Sequence, residues 1–407
     1  MKKLFRINKR WTGAIYALVA GLFLFAACTE DKGVAQKPSD SVPPQKLSII
    51  GVESTPGGGI IVYSLPDEID ISYVKGEYMF QGKKRVIRAS VYNNYLVVEG
   101  LGSVEPVEVT LYVVDHSENV SEPETVRFTP DTPPVESIFS SVEMIPDFAG
   151  VHLTWDNPLG IEIGLTLFAT DSTGTLAEVR TEYTPMRAGS YTFRGFDTSE
   201  RKFAVKIIDK WGNETGMKEA VLTPYFEEAL NKSLITQVIL PYDNNTVAGS
   251  SVFGNAFDGN INTNYHTLEG TTFPLPLLVT MDLGIMAKLS RFVLFHRNDS
   301  RFDYTHHNIR YFELWGTTAV KTGMPDNYWW EDWKQDWEML DDYEVIKPSG
   351  EGSITDEDRA AARAGYEFNV PIERQTYRYI RLVMKGTWSG SNTLQIAELT
   401  FYGNTGN

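Results

Sequence analysis

The chain has 407 residues and carries 53 acidic against 37 basic side chains, a formal net charge of −16 at pH 7. So large an acidic excess disfavours nucleic acid and any broad polyanion footprint; it favours neutral or locally recognised ligands, besides keeping the protein soluble. The length holds two or three domains, and aromatic residues, glycines, prolines and short apolar runs give the profile of all-β modules rather than helical bundles.

Lys2, Lys3, Arg6, Lys9 and Arg10 form a basic n-region, and Ala14 to Ala27 an apolar h-region, so residues 1–27 read as a secretory leader. Without those five basic side chains the remainder stands at −21. Phe25-Ala26-Ala27-Cys28 resembles a lipobox, which implies lipidation of Cys28; Phe25 stands where leucine is usual. The other reading of this segment is an uncleaved membrane anchor, a little short for a span. Cys28 is the only cysteine, so no internal disulfide forms and the domains stand on packing alone. Thr29-Glu30-Asp31-Lys32 resembles the surface-export signal of Bacteroidetes lipoproteins. That implies a protein on the outer face of the outer membrane, touching the bilayer through its lipid anchor only. Residues 28–45, with Pro38, Pro43 and Pro44, read as an extended tether.

Two stretches then repeat. VTLYVVDHSENVSEPETVRFTP ends at Pro130 and FAVKIIDKWGNETGMKEAVLTP at Pro224, with Asp115, Asn119 and Ser121 matching Asp209, Asn213 and Thr215 at a constant separation of 94 residues. Upstream, GIIVYSLP from Gly59 resembles GVHLTWDNP from Gly150, at a separation of 91 or 92. A repeat this long is no solenoid; it is the size of an immunoglobulin-like or fibronectin type III sandwich. Modules are therefore expected at 46–130 and 131–225. Asp-x-x-x-Asn-x-Ser/Thr falls where two strands join, and its side chains suit a self-bonded turn, with a cation site as the rival reading. Trp155 is expected in a sandwich core, His116 and His152 are isolated, and YFEEALNK from Tyr225 allows a helical turn. Both modules read as spacers.

Residues 226–407 contain, in order, NAFDGNINTNYHT from Asn255, VTMDLG from Val279, LSRFVLFHR from Leu289, IRYFELWGT from Ile309, RYIRLVMKGTW from Arg378 and LQIAELTFYG from Leu394. Asp-Gly at 258–259 is first of all a tight-turn dipeptide, although the clustered oxygens around it suit a calcium ion. The whole succession resembles the discoidin, or coagulation-factor type C, domain, the fold of the family 32 carbohydrate-binding modules. The expected fold is thus all-β: two immunoglobulin/fibronectin III-like sandwiches followed by a discoidin-like jelly-roll sandwich.

The resemblance implies a structural Ca2+ held by Asp258, Thr263 and Glu398 with carbonyls near Asn260 and Ala397, pinning the long loop to the last strand. A hydrogen-bonded turn without metal is the alternative. Tyr265 stands where the family has tryptophan, which bears on packing more than on the metal. It further implies glycan binding by loops at one end of the sandwich, where His266, Arg297, Asn298, Asn308 and Trp388 occupy the matching positions. Arg297 offers a fixed fork of donors for vicinal hydroxyls, or else an ion pair with Asp299 or Asp303.

Met324 to Asp342 departs from that family. Trp330, Trp333, Trp337 and Leu340 recur at the spacing of one helix face, which reads either as a stripe packed on the sandwich or as an exposed aromatic platform for a glycan. Thr355 to Gly365 has a capping-box start and a glycine stop, the marks of a short solvated helix.

For catalysis, His296, Asp299, Asp303, His306 and His307 cluster in sequence, but adjacent histidines on a strand point to opposite sides. No zincin, nucleophile-elbow or phosphate-loop motif is present, so no enzyme is expected. The order of modules resembles lipoproteins of Bacteroidetes polysaccharide-utilisation systems, which implies a carbohydrate-binding surface lipoprotein beside an outer-membrane glycan importer. The alternative is a scaffold or adhesin that contacts protein partners.

Overall fold

The computed structural model describes residues 41–268 and 275–406; the leader, Cys28 and most of the tether lie outside the described residues. Among the described residues no helix is long and apolar enough to cross a membrane. The first module is built from β1 (Ser48–Thr55), β2 (Gly58–Ser64), β3 (Ile71–Phe80), β4 (Lys83–Ser90), β5 (Tyr95–Val98), β6 (Val107–Asp115) and β7 (Glu124–Phe128). Period-2 patterning decides its faces: along β6, Val109, Leu111 and Val113 are fully buried and alternate with half-exposed Thr110 and Tyr112. A three-stranded sheet, β1-β2-β5, packs on a four-stranded one, β4-β3-β6-β7. Each fully buried aliphatic or aromatic side chain between the sheets is worth about 1.5–3 kcal/mol.

The second module opens with a helix, α1 (Pro134–Ser141), which the paired prolines start rather than prevent, because Pro134 sits where its missing N–H costs nothing. The strands β8 (Glu143–Asp147), β9 (Gly150–Asp156), β10 (Ile163–Thr170), β11 (Leu176–Thr184), β12 (Ala188–Arg194), β13 (Arg201–Asp209) and β14 (Lys218–Leu222) again make a three-stranded sheet, β12-β9-β8, and a four-stranded one, β11-β10-β13-β14. Trp155 is buried at 3 % exposure in its core.

The repeated turn has the same wiring in both modules. Asp115 Oδ1 accepts from the Ser117 and Asn119 amides, at 2.8 Å each, and Oδ2 from Asn119 Nδ2 at 2.9 Å. Asp209 does the same with Trp211 and Asn213. The Ser121 and Thr215 hydroxyls accept from the amides of Val113 and Ile207. These carboxylate oxygens are occupied by N–H donors. The second copy also docks onto the first module: Asn213 Nδ2 donates to the Gly100 carbonyl at 2.9 Å, and Trp211 lies over Gly100, where any Cβ would meet the indole at 2.7 Å.

The third unit comprises β15 (Glu228–Ala229), β16 (Thr236–Val238), β17 (Tyr265–His266), β18 (Leu277–Phe295), β19 (Ile309–Thr317), β20 (Glu338–Glu344), α2 (Asp356–Ala364), β21 (Tyr366–Asn369), β22 (Tyr377–Thr387), β23 (Gln395–Ile396) and β24 (Glu398–Asn404). Tyr225 to Lys232 supplies β15 and leads into a 3₁₀ turn over Lys232–Leu234 instead of the helical turn its composition allows, because Glu228 and Ala229 pair with Gly403 and Tyr402. One long strand joins both layers of the jelly roll. Before its corner β18 pairs with β22 and β16; beyond it, with β24 and β21. The corner is at Gly284, whose φ of 72° and whose approach to Leu234 admit no side chain, since a Cβ would stand 2.7 Å from the Leu234 carbonyl oxygen. Phe292, Phe312, Tyr343 and Phe401 stack between the layers.

The tryptophan segment is not one helix. Two 3₁₀ turns, Asp326–Trp329 and Asp332–Asp336, are broken at Glu331 (φ −139°), and that break resets the side-chain phase before β20 begins. Trp329, Trp333 and Trp337 are therefore buried with Leu278 and Val383 on the outer face of the sheet, while Trp330 remains 53 % exposed. Beneath this layer Arg381 and Asp243 form a fully buried ion pair, with the guanidinium 4.4 Å from the Trp333 ring centroid. Thr355 caps α2 through a capping box with Asp358, and Gly365 stops it at φ 82°; one face of this helix packs inward through Asp358 and Ala362.

The second and third units are clamped by charge. Glu227 accepts from Arg194 (3.4 Å) and Arg291 (3.0 Å), and Arg194 also donates to Asn369 Oδ1 at 2.8 Å.

Candidate functional site

The first loop of the third unit is held by its own side chains. Asp258 Oδ1 accepts from the Asn260 amide at 2.8 Å, and the Thr263 hydroxyl lies 2.7 Å from both Asp258 Oδ2 and the Asn260 carbonyl. Gly259, at φ 78°, turns its N–H onto Glu398 Oε2 at 3.0 Å. β17 then pairs with β23, Tyr265 opposite Ile396 and His266 opposite Gln395, so the loop is tied to the C-terminal strand next to Ala397. Tyr265 fills the interior at 1 % exposure, edge-on to Phe253.

Glu398 is 3 % exposed, and its Oε1 meets the Lys232 ammonium at 2.6 Å. Burial pushes its carboxyl above the usual range, Lys232 and the Gly259 N–H pull back, and the charge of Asp258 pushes up again. The Asp258 and Glu398 carboxylates, the Thr263 hydroxyl and the Asn260 and Ala397 carbonyls are all hard oxygen donors, so by type the set fits calcium. The Lys232 ammonium holds one of those carboxylates, so a calcium ion here would compete with it. Among the described residues no three His, Cys, Asp or Glu side chains gather into a metal cluster.

At the neighbouring loop tip a chain of rings runs across three segments. The Arg297 guanidinium lies 4.4 Å from the Phe302 centroid, Phe302 is 4.3 Å from His306, His306 is 5.7 Å from His307, and His307 stacks on His266 at 5.3 Å. Asn298 Nδ2 donates to Asn262 Oδ1 at 2.9 Å, which fastens this loop to the first one. His306 and His307 sit in a turn rather than on a strand, and His306 takes a φ of 52°, so their rings lie side by side instead of on opposite faces. Arg297 is 3.8 Å from Asp299, whose closer partner is Arg301 at 2.7 Å; Asp303 is buried against Arg363 at 2.6 Å. The Arg297 side chain keeps 38 % exposure.

Of the five sequence-predicted glycan positions, His266, Arg297 and Asn298 reach this surface. Asn308 does not: it is fully buried, its Nδ2 donates to the Phe302 carbonyl at 2.7 Å and its Oδ1 lies 3.4 Å from the Arg297 amide. Trp388 is half-buried between the Arg310 guanidinium (4.3 Å) and the edge of Tyr304 (5.1 Å). Both shape the tip from behind. His296 is likewise interior, its Nε2 2.9 Å from the Ile309 carbonyl. The sequence reading missed Phe302 and Asn262; a lone aromatic among charged neighbours in a loop is the signal that marks Phe302. It also missed Lys232, for which no local signal exists, 166 residues from Glu398.

Three solved structures illustrate the similarity of the chain to known proteins. A SusE-like protein is 26% identical over 67% of this chain and 99% of its own, with a TM-score of 0.43. The family 32 carbohydrate-binding module of Clostridium perfringens NanJ, solved with galactose, is 18% identical over 43% of this chain and 98% of its own (TM-score 0.30). The C-terminal domain of a chitobiase from Bacteroides fragilis is 20% identical over 44% of this chain and 100% of its own (TM-score 0.31). No curated protein matches. Three family descriptions match in succession, each a domain of unknown function: DUF4959 over residues 44–130, DUF5126 over 131–233 and DUF5000 over 253–403.

Proposed function

We propose that this chain is a surface lipoprotein, anchored to the outer membrane through Cys28, that binds a glycan at the loop tip of its C-terminal unit. Its role is to assist polysaccharide capture or uptake beside a glycan importer. The observation that carries the reading is the run from Arg297 through Phe302, His306 and His307 to His266. A pyranose has an apolar C–H face and an edge of hydroxyls. Ring faces suit the first, and the guanidinium fork of Arg297 with the amide of Asn298 suits the second. The acidic surface favours a neutral sugar.

In this reading the modules at 46–130 and 131–225 are spacers that carry the tip away from the membrane, and the third unit occupies 226–407. A calcium ion on Asp258, Asn260, Thr263, Ala397 and Glu398 stiffens the first loop and so steadies His266; it takes no part in chemistry. A glycan-array screen of the whole protein, with and without a chelator, tests the proposal. Binding to one class of neutral glycan supports it. Failure to bind any glycan at millimolar concentration, with a partner protein co-purifying instead, would replace it by the scaffold reading.

A further inference from the structure

On the outer face of the sheet the tryptophan segment covers a cavity of about 170 Å³, whose lining shares no residue with the loop tip. That is the scale of the roughly 150 Å³ cavity that admits a benzene ring, so one six-membered ring fits. The walls are Leu278, Val383, Trp333 and Pro276. Its mouth is flanked by two aromatic rings that the core does not claim. Trp330 is 53 % and Tyr242 42 % exposed, and they meet edge to face with centroids 5.2 Å apart. Leaving two large rings in water while their neighbours Trp329 and Trp333 are buried sacrifices apolar burial on both. Tyr242 also takes a φ of 68°, a left-handed conformation that a bulky residue adopts only when its surroundings impose it.

The polar lining completes the site. Asn244 is fully buried and lines the cavity. Its Oδ1 accepts from Thr246, but its Nδ2 has no hydrogen-bond partner among the described residues. An orphaned buried donor of this kind costs about 1–3 kcal/mol unless something fills the need. At the rim stand Glu331 and Lys334, groups of opposite charge, the Lys334 ammonium lying 5.6 Å from the Trp315 ring centroid and 6.0 Å from that of Trp333. Apolar walls, two half-exposed rings in contact with one another and a rim that carries both charges suit a neutral ring with one apolar face and hydroxyls at its edge. They do not suit a charged ligand or a long acyl chain.

We propose that this cavity is a second glycan subsite, in which one pyranose unit of a neutral polysaccharide lies over the apolar walls and stacks on the contiguous surface formed by Trp330 and Tyr242. The inference rests on the reading that the protein takes glycans, but not on the loop tip. Two subsites on one rigid unit bind one polysaccharide more tightly than either alone, because engagement of the first raises the effective concentration at the second.

The test is mobility in native gels cast with galactomannan, xylan or dextran, against gels with none, for the wild-type protein, Trp330→Ala, Trp330→Phe and Arg297→Ala. The expected result is retardation of the wild type by at least one polysaccharide, weakened about tenfold or more by Trp330→Ala and largely restored by Trp330→Phe, with an unchanged melting temperature because Trp330 is half-exposed. Retardation that survives Trp330→Ala but vanishes with Arg297→Ala would overturn this inference and leave the loop-tip reading standing. Loss in Trp330→Ala with none in Arg297→Ala would keep the inference and remove the loop tip. A wild type retarded by none of the three overturns both.

Discussion

The Lys232 ammonium sits 2.6 Å from the Glu398 carboxylate, and the Gly259 N–H lies on the carboxylate's other oxygen, so one buried acid ties the start of the third unit, its first loop and its last strand together. Removing the partner of a buried charge is expensive, about 3–5 kcal/mol, because the remaining charge is left uncompensated. Lys232→Met should therefore destabilise the protein strongly in the presence of chelator. Millimolar calcium should raise the melting temperature of the wild type, and raise that of Lys232→Met further, since the competing ammonium is gone. Thermal unfolding with and without calcium checks this; no calcium response in either protein would remove the metal from the account.

His296 sets a pH dependence. It is fully buried, its Nε2 donates to the Ile309 carbonyl, and its Nδ1 has no partner among the described residues, so the ring is neutral. Burial lowers its pKa to about 3, against an ordinary value of 6.5. Above pH 6.5 neither folded nor unfolded chain binds this proton; below it only the unfolded chain does. The histidine's contribution is thus complete above 6.5 and lost as the pH falls towards 3, at about 1.4 kcal/mol per pH unit. Urea unfolding at pH 7 and pH 5 should show the decline in the wild type and a smaller one in His296→Leu, whatever that variant's absolute stability. Equal declines would contradict it.

The twin turns make a paired prediction. Asp209→Ala leaves the Trp211 and Asn213 amides without their acceptor and should cost about 2 kcal/mol, and Asp115→Ala should cost a similar amount through Ser117 and Asn119. Asp→Asn, which keeps an acceptor oxygen, should cost less in both. Chemical unfolding measures these differences. Substitutions that cost nothing until calcium is added would mean that a cation, rather than the amides, occupies the turn.

The fold was legible because its signals are local or periodic. The 94-residue recurrence of Asp, Asn and Ser/Thr marks one turn used twice, and the succession of strands after Asn255 marks the jelly roll. The helix at Asp356 could be read from Thr355, Asp358 and Gly365, whose caps act within one turn. What escaped depends on partners far away in the chain. Within Tyr225 to Lys232 the pair Glu228 and Ala229 became a short strand because β24 offers a free edge, and Asn308 was drawn inside because the Phe302 carbonyl needs its amide. The tryptophan spacing suggested one face for Trp330, Trp333 and Trp337, but a single non-helical residue, Glu331, breaks the phase between them, so that Trp333 and Trp337 are buried while Trp330 stays exposed. At the tip, Arg297 and His266 were picked out by their match to the discoidin-like pattern, whereas the Phe302 and His306 rings that lie between them arise from a turn whose shape no short motif records.

The central claim is that a sugar is held at the loop tip. Calorimetric titration with the best array glycan measures it most directly, comparing Trp330→Ala with the double variant Trp330→Ala/Arg297→Ala so that only the tip reports. Arg297 contributes charge-assisted hydrogen bonds of about 1.5–3 kcal/mol. The account predicts that adding Arg297→Ala weakens binding by roughly tenfold or more, with the melting temperature unmoved. Equal affinity in the two proteins would contradict it.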